Sequence, residues 1–227
     1  VFHAVSTFDI LNEMFIRSKF HFGTADEREL ASKMIDAVAQ DVYYKDEPQI
    51  WIFDRGFPSL SLIQKLLEHR LYFVMRVSSS FLKEVNAFRK SKYVDRVIHI
   101  EYSERRATQN HVHSDGISQF DLRCVRVKLP SGEDEILVTN LDRKDFPKRD
   151  IKEIYRLRWG IETGFNYLKN AVFVEEFVSK TENGLAQDYF VSLLVYNFAT
   201  CICGSMYPNI PKKENTSTRS IEELPPD

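Results

Sequence analysis

Four polar side chains of different chemistry recur between residues 155 and 169 at spacings that suit one face of a helix. At about 100° per residue, Tyr155, Arg158, Glu162 and Lys169 fall within about 60° of one another. Apolar residues of the same segment occupy the adjacent arc, as in a helix that packs against a core. The glutamate is therefore predicted at the edge of the buried face, where a carboxylate is partly desolvated but still accessible to a substrate.

The length of this polar stripe limits its chemistry. From Tyr155 to Lys169 a continuous helix extends about 21 Å at 1.5 Å per residue. That distance is too long for one metal site and suits a helix that lies along several phosphates of a DNA strand. An amphipathic helix with a solvated charged edge has the same spacing, so the stripe alone leaves both interpretations open.

Asp54 is a second candidate, because it follows the apolar run at residues 49–53 and begins a turn over residues 54–58. The run is typical of a short strand buried on both faces, and ligands of open α/β sheets bind at the carboxyl ends of strands. A lone aspartate there is equally typical of a turn former that accepts backbone N–H bonds. Paired with Glu162, however, it could hold Mg²⁺, a hard cation that prefers carboxylate oxygens.

The elements that must position these residues can be predicted from periodicity. Residues 2–22 alternate and predict two antiparallel strands with a break near Leu11 and Asn12. Thr24, with Glu27 three positions later, predicts a helix that begins with a capping box. The strand at 49–53, a helix capped by Ser59 and a strand at 71–77 predict a β-α-β unit with parallel neighbours.

From residue 78 onward, three predicted strands (97–102, 122–129 and 135–139) indicate a β-rich insertion. The turn residues at 130–134 predict that the last two of these strands form a hairpin. The helix that carries the polar stripe is predicted to begin near Lys148. A further helix at 185–202 contains an apolar run too short for a membrane span, which favours a buried helix. We therefore divide the chain into a core over 1–77, an insertion over 78–147, C-terminal core helices over 148–205 and a disordered tail over 206–227.

Composition sets broader bounds. The chain has 227 residues, of which 43% are hydrophobic and 28% charged, as expected for a globular protein with a substantial core. The net charge of −2 argues weakly against a general nucleic-acid binder, but residues 76–106 contain eight basic and four acidic residues and could present a local phosphate-binding face. Three cysteines without metal-like spacing and no signal peptide indicate the cytoplasm.

Two smaller clusters are predicted to have no catalytic role. Cys201 and Cys203 are interpreted as core packing. His111 and His113 share one face of an extended segment but have no evident third metal ligand, which favours a solvated loop.

Taken together, the residues resemble the DDE transposases of the insertion sequence 4 family. The resemblance rests on Asp54-Arg-Gly-Phe after a strand and on Tyr-x₂-Arg-x₃-Glu-x₆-Lys at 155–169, which is the signature of that family. The phrases Asp26-Glu-Arg-Glu-Leu-Ala31 and Val138-Thr-Asn-Leu141 are also similar. The resemblance covers roughly residues 3–204.

This resemblance implies an RNase H-like α/β fold, in which helices flank a mixed sheet and a β-rich insertion precedes the glutamate-bearing helix. It makes Asp54 the second metal-binding aspartate and Glu162 the catalytic glutamate of a two-metal Mg²⁺ site in which Mn²⁺ can substitute. Arg158, Lys169 and Arg55 are then expected to bind DNA, and Tyr155 to help hold the DNA end.

The chain departs from the family pattern at its start. The first catalytic aspartate belongs at the end of the first strand of the fold, and Asp9 is better explained as a turn residue. That strand is the central one of the sheet, so without it two apolar sheet edges are expected to be unpaired. The sequence therefore resembles a truncated fragment that is inactive alone and lacks the N-terminal DNA-binding segment.

The predicted function is a transposase that cleaves and transfers DNA strands of an insertion sequence with the help of a divalent metal. Its expected partners are transposon ends and target DNA, on which it would form a dimer, and no membrane. One alternative is an inactive remnant or DNA-binding derivative that keeps the fold. Another is a different metal nuclease on the same fold.

Overall fold

A computed structural model describes residues 2–24, 26–101, 119–129, 131–171 and 179–206. These residues form two compact units. The first, here called the hairpin unit, contains the described residues of 1–34 and 157–216; the second, the sheet unit, contains those of 35–156. The elements in chain order are β1 (Phe2–Asp9), β2 (Met14–Phe22), α1 (Glu27–Ala39), β3 (Ile50–Phe53), α2 (Leu60–Glu68), β4 (Tyr72–Arg76), α3 (Lys83–Lys90), β5 (Asp95–Glu101), β6 (Gln119–Lys128), β7 (Asp134–Thr139), α4 (Lys148–Arg156), α5 (Trp159–Ala171) and α6 (Glu182–Met206).

The sheet unit is built on a five-stranded mixed sheet in the order β3-β4-β7-β6-β5. Strands β3 and β4 are parallel and are connected through α2, which confirms the predicted β-α-β unit. The other pairs are antiparallel, and β6 and β7 form the predicted hairpin. The three strands predicted for the insertion continue the same sheet as β3 and β4, because β7 pairs directly with β4. The α/β fold class with helices flanking a mixed sheet is confirmed.

Successive side chains of a strand point to opposite faces of the sheet, and in this sheet both faces are buried. Phe73 and Met75 of β4 pack in one apolar cluster with residues of α2 and α3. Val74, between them in the sequence, packs in a second cluster with Ile151 and Tyr155 of α4. Helices therefore lie against both faces, and the second face holds the first residue of the polar stripe.

Strand β3 is less buried than the sequence predicts. It lies at the edge of the sheet, and of its four residues only Phe53 is buried. Its side chains still pack toward both faces, since Trp51 and Phe53 contact one apolar cluster and Ile50 and Ile52 the other. Three of the four stay partly exposed because an edge strand has a neighbouring strand on one side alone. Among the described residues β1 likewise pairs with one strand, β2.

The hairpin unit contains the predicted antiparallel pair β1–β2, joined by a tight turn. Asp9 is a turn residue, as predicted: its Oδ1 accepts hydrogen bonds from the backbone N–H groups of Leu11 and Asn12 at 3.0 and 3.1 Å. Within this unit Phe15 of β2 packs in one apolar cluster with Leu168 of α5 and residues of α6.

Helix α6 also differs from its prediction, since only one of its faces is buried. Tyr189, Leu193 and Tyr196 pack in the hairpin unit, whereas Leu194 and Phe198 are each 67% exposed. Helix α6 has apolar residues on all its sides, and the described part of the hairpin unit covers only one of them. The two cysteines interpreted as core packing, Cys201 and Cys203, are exposed. No helix among the described residues is both long and apolar enough to cross a membrane.

The helix caps were predicted with mixed success. Ser59 caps α2 as predicted, since its Oγ accepts a hydrogen bond from the N–H of Leu62 at 3.2 Å. Helix α1 begins at Glu27, and Asp26 takes the role predicted for Thr24, because its Oδ1 accepts from the N–H of Arg28 at 2.9 Å. An aspartate directly before the first turn is as good a cap as threonine.

Two predictions fall outside the described residues. They are the loop around His111 and His113, and the disordered tail beyond Met206, the last residue of α6.

Candidate active site

Asp54 follows the last residue of β3 and begins a turn, as predicted. Its carbonyl oxygen accepts a hydrogen bond from the N–H of Phe57 at 3.1 Å, and its side chain is half-buried beside the exposed Arg55. Because β3 and β4 are parallel, their carboxyl ends lie at the same edge of the sheet, the edge at which α/β proteins bind ligands.

The side chain of Asp54 is held by the first residue of the predicted signature. The hydroxyl of Tyr155 donates a hydrogen bond to Asp54 Oδ1 at 3.1 Å, across 101 positions of sequence. Tyr155 is only 9% exposed, and its ring packs in the apolar cluster that contains Val74 and Ile151. Both residues belong to the sheet unit.

The polar stripe does not lie on one continuous helix. Helix α4 ends at Arg156 and α5 begins at Trp159, with a turn between them. Tyr155 consequently belongs to the sheet unit, whereas Arg158, Glu162 and Lys169 belong to the hairpin unit. The prediction of a single helix was wrong, and its continuous length of about 21 Å does not apply.

Two glycines of α5 lie close against the β1–β2 hairpin. A Cβ atom at Gly160 would meet Cγ2 of Ile10 at 3.2 Å, and one at Gly164 would meet Cε2 of Phe8 at 3.1 Å. The helix therefore approaches the hairpin more closely than a residue with a side chain would allow. Sequence reasoning missed both positions, although two glycines on either side of Glu162 are a visible signal.

In the hairpin unit, Glu162 is paired with the arginine that precedes it by one helical turn. Arg158 Nη1 donates to Glu162 Oε1 at 2.5 Å, and the guanidinium also stands 5.3 Å from the ring centroid of Trp159. The side chain of Arg158 is 14% exposed and that of Glu162 is 39% exposed. Arg158 thus balances the charge of a carboxylate that remains accessible, and the exposed Lys169 lies further along the same helix.

A further arginine, Arg89, lies near the carboxyl ends of β3 and β4. Its Nη2 donates to the carbonyl oxygens of Val77 and Ser78, just after β4, at 3.4 and 3.3 Å. Burial lowers the pKa of Arg89, and the positive charges of Arg126 and Arg55 lower it further. Arg126 pairs with Asp134, and its Nη2 donates to the carbonyl oxygens of Phe88, Arg89 and Ser91. The two arginines therefore tie α3 to β6 and to the end of β4. Spacing in the sequence gives no signal of this cluster.

The segment at residues 138–141, which is part of the family resemblance, has a structural role. Asn140 Oδ1 accepts from the N–H of Phe73 at 2.9 Å, and its Nδ2 donates to the carbonyl oxygen of Leu71 at 3.0 Å. Thr139 Oγ1 donates to the carbonyl oxygen of Phe73 at 2.5 Å. These bonds continue the β4–β7 ladder past the end of β7 and fix the register of the sheet.

The donor chemistry of Asp54 and Glu162 fits a hard divalent cation, because each offers carboxylate oxygens and each is already hydrogen-bonded by another side chain. Within the described ranges, no three side chains of His, Cys, Asp or Glu lie together in a way that could hold a metal ion.

Comparisons with known proteins agree on one family. The model of the transposase DDE domain matches residues 1–198 of this chain. A putative transposase of Sinorhizobium fredii, y4zB, is 26% identical over 149 residues, which make up 64% of this chain and 40% of that protein. The putative transposase for insertion sequence element IS4SA of Synechocystis is 22% identical over 78% of this chain and 46% of its own length.

A third relative is the probable transposase for insertion sequence element IS5377 of Geobacillus stearothermophilus. It is 22% identical over 180 residues, which make up 76% of this chain and 43% of that protein. The chain therefore spans less than half the length of each of these three relatives.

Proposed function

This chain belongs to the family of transposase DDE domains, and from that premise we propose that it serves in the metal-dependent cleavage and strand transfer of an insertion sequence. Members of this family act on DNA and in general use divalent metal ions. The observation that supports the proposal most directly is the hydrogen bond between Tyr155 and Asp54. This bond connects the two parts of the chain on which the resemblance rests: the signature at residues 155–169 and the aspartate at the end of β3.

Asp54 and Glu162 are the residues that would hold Mg²⁺ or, in its place, Mn²⁺. A divalent ion bound by carboxylates supplies a Lewis acid and positive charge for phosphoryl transfer. In this proposal Arg158 orients the Glu162 carboxylate through their ion pair.

The cationic residues bind the DNA backbone. Arg55, at the carboxyl end of β3, and Lys169, on α5, neutralise phosphates and so fix the register of the strand. Arg158 adds a planar guanidinium, which suits two phosphate oxygens at once. With the strand held, a water attacks the phosphodiester at the transposon end, and the released 3′-OH then attacks a phosphodiester of the target. We expect a dimer to assemble on the DNA.

The test uses the reading frame that encodes this chain together with the DNA upstream of the Val1 codon. The expressed protein should cleave DNA that carries the ends of its element, in the presence of Mg²⁺. Glu162→Ala and Asp54→Ala should abolish cleavage, while Glu153→Ala, which removes an exposed ion pair with Arg156 on α4, should not. Cleavage that survives Glu162→Ala would contradict the proposal.

The alternative is a derivative that binds DNA without cutting it. Such a derivative would keep the fold and the cationic residues Arg55, Arg158 and Lys169. DNA binding with no Mg²⁺-dependent cleavage by the longer protein, at any substrate end, would support this alternative.

A further inference from the structure

We infer that Tyr155 is a positioning residue for the metal ligand Asp54, and that its hydroxyl acts on the carboxylate rather than on DNA. The inference rests on the proposed function, since it assigns a role within the same metal site. It concerns two residues of the sheet unit only.

The tyrosine ring is fixed before any ligand arrives. It is 9% exposed and packs in the cluster of Val74, Leu137 and Ile151, contributed by β4, β7 and α4. A ring held on several sides by apolar side chains has little freedom to rotate. The hydroxyl is therefore presented at a constant position, 3.1 Å from Asp54 Oδ1.

The carboxylate, by contrast, belongs to a turn. Asp54 begins a turn after the edge strand β3, and the next two residues, Arg55 and Gly56, are exposed. An aspartate in such a position can adopt several rotamers, which would cost entropy when a metal binds. A donated hydrogen bond favours one rotamer of the carboxylate that would hold the metal.

Burial also separates Tyr155 from Lys169, the last residue of the signature. Lys169 is exposed and can reach a phosphate, whereas Tyr155 offers less than a tenth of its surface. The hydroxyl that could contact DNA already donates to a carboxylate. The four residues thus divide into one that orients a metal ligand and three that carry charge.

The experiment compares Tyr155→Phe with Tyr72→Phe in the 227-residue chain. Both variants remove one hydroxyl from a tyrosine at the same apolar cluster, but only Tyr155 donates to Asp54. Three quantities are measured: Mn²⁺ affinity by electron paramagnetic resonance, the ¹³Cγ shift of Asp54 in metal-free protein, and affinity for a short DNA duplex in the presence of EDTA. Asp54→Ala identifies the Mn²⁺ site and assigns the Asp54 resonance.

Tyr155→Phe should weaken Mn²⁺ binding roughly 10-fold or more, the usual effect of removing an outer hydrogen bond to a metal ligand. It should also move the Asp54 ¹³Cγ signal, and it should leave DNA affinity without metal unchanged. Tyr72→Phe should change none of the three quantities.

Unchanged Mn²⁺ affinity in Tyr155→Phe would overturn the positioning role while leaving the proposed function intact. Weaker DNA binding in EDTA with an unmoved ¹³Cγ signal would return Tyr155 to the role of a DNA contact. A wild-type chain without Mn²⁺ binding that depends on Asp54 would overturn both the metal site and the role assigned to Tyr155.

Discussion

At the scale of single residues, a buried arginine with several hydrogen bonds in the sheet unit is structural. Arg123 is 3% exposed and pairs with Asp95, whose side chain is 10% exposed, at 2.8 Å. Its Nη1 donates to the carbonyl oxygens of Leu141, Asp142 and Phe146. The pair thus ties β5 and β6 to the segment that leads into α4.

This pair predicts a specific acid sensitivity. Burial raises the pKa of Asp95, but hydrogen bonds from Arg123 and Arg143 outweigh it and hold the pKa below the ordinary 3.8. Because the folded value is depressed, the carboxylate contributes stability above pH 3.8 and loses it as the pH falls through the lower, folded pKa. Asp95→Ala should cost about 3–5 kcal/mol at neutral pH, since it leaves Arg123 buried without its partner.

Urea unfolding at pH values on either side of 3.8 measures both effects. The unfolding free energy of wild type should decline on the acid side more steeply than that of Asp95→Asn. Asp121→Asn is the control, because Asp121 pairs with His99 on the exposed side of the same strands. Equal acid slopes for wild type and Asp95→Asn would show that the pair does not carry the sensitivity.

At the scale of elements, sequence periodicity predicted the hairpin β1–β2, the β-α-β unit and the hairpin β6–β7, because each depends on neighbours in sequence. It missed the break between α4 and α5 because the apolar period continues unbroken across the turn. The contact between Tyr155 and Asp54 was also beyond its reach, since spacing carries no information on residues 101 positions apart. The candidate catalytic residues therefore stay predictions, and the sequence did not indicate their division between two units.

The seating of α5 on the hairpin gives a prediction at this scale. Gly164→Ala adds a Cβ at 3.1 Å from Cε2 of Phe8 and 3.3 Å from Cζ of Phe15. Those rings stack edge to face at 4.8 Å, so they cannot easily yield. Overpacking of about 1–3 kcal/mol should exceed the gain of about 1 kcal/mol in helix propensity, and the protein should be destabilised.

Gly204→Ala is the matched control, because a Cβ at that position in α6 meets nothing within 4 Å. It should leave stability equal or raise it by up to about 1 kcal/mol. Thermal unfolding of both variants decides the matter, and a stabilised Gly164→Ala protein would show that α5 can move off the hairpin at little cost.

At the scale of the whole molecule, the exposed apolar side of α6 should govern solubility. Leu194 and Phe198 lie one turn apart and are each 67% exposed, in a chain whose net charge is only −2. Phe198→Glu should reduce aggregation and leave the melting temperature nearly unchanged, because it removes exposed apolar surface and adds charge.

Leu193→Glu provides the contrast. Leu193 is 7% exposed in the core of the hairpin unit, so the charge should unfold that unit. Light scattering and thermal unfolding, measured together, separate the two outcomes. Aggregation that is the same in wild type and Phe198→Glu would show that another surface governs solubility.

The pairing of β4 with β7 has a consequence for the order in which the chain is made. Thr139 and Phe73, which are joined across these strands, lie 66 positions apart. A ribosome therefore completes β3, α2 and β4 well before β7 emerges. During that interval the edge of β4 that later pairs with β7 is unpaired. A chaperone that binds the nascent chain at this stage would protect this edge. The hydrogen bonds of the Asn140 side chain to Phe73 and Leu71 would form only after β7 has been made.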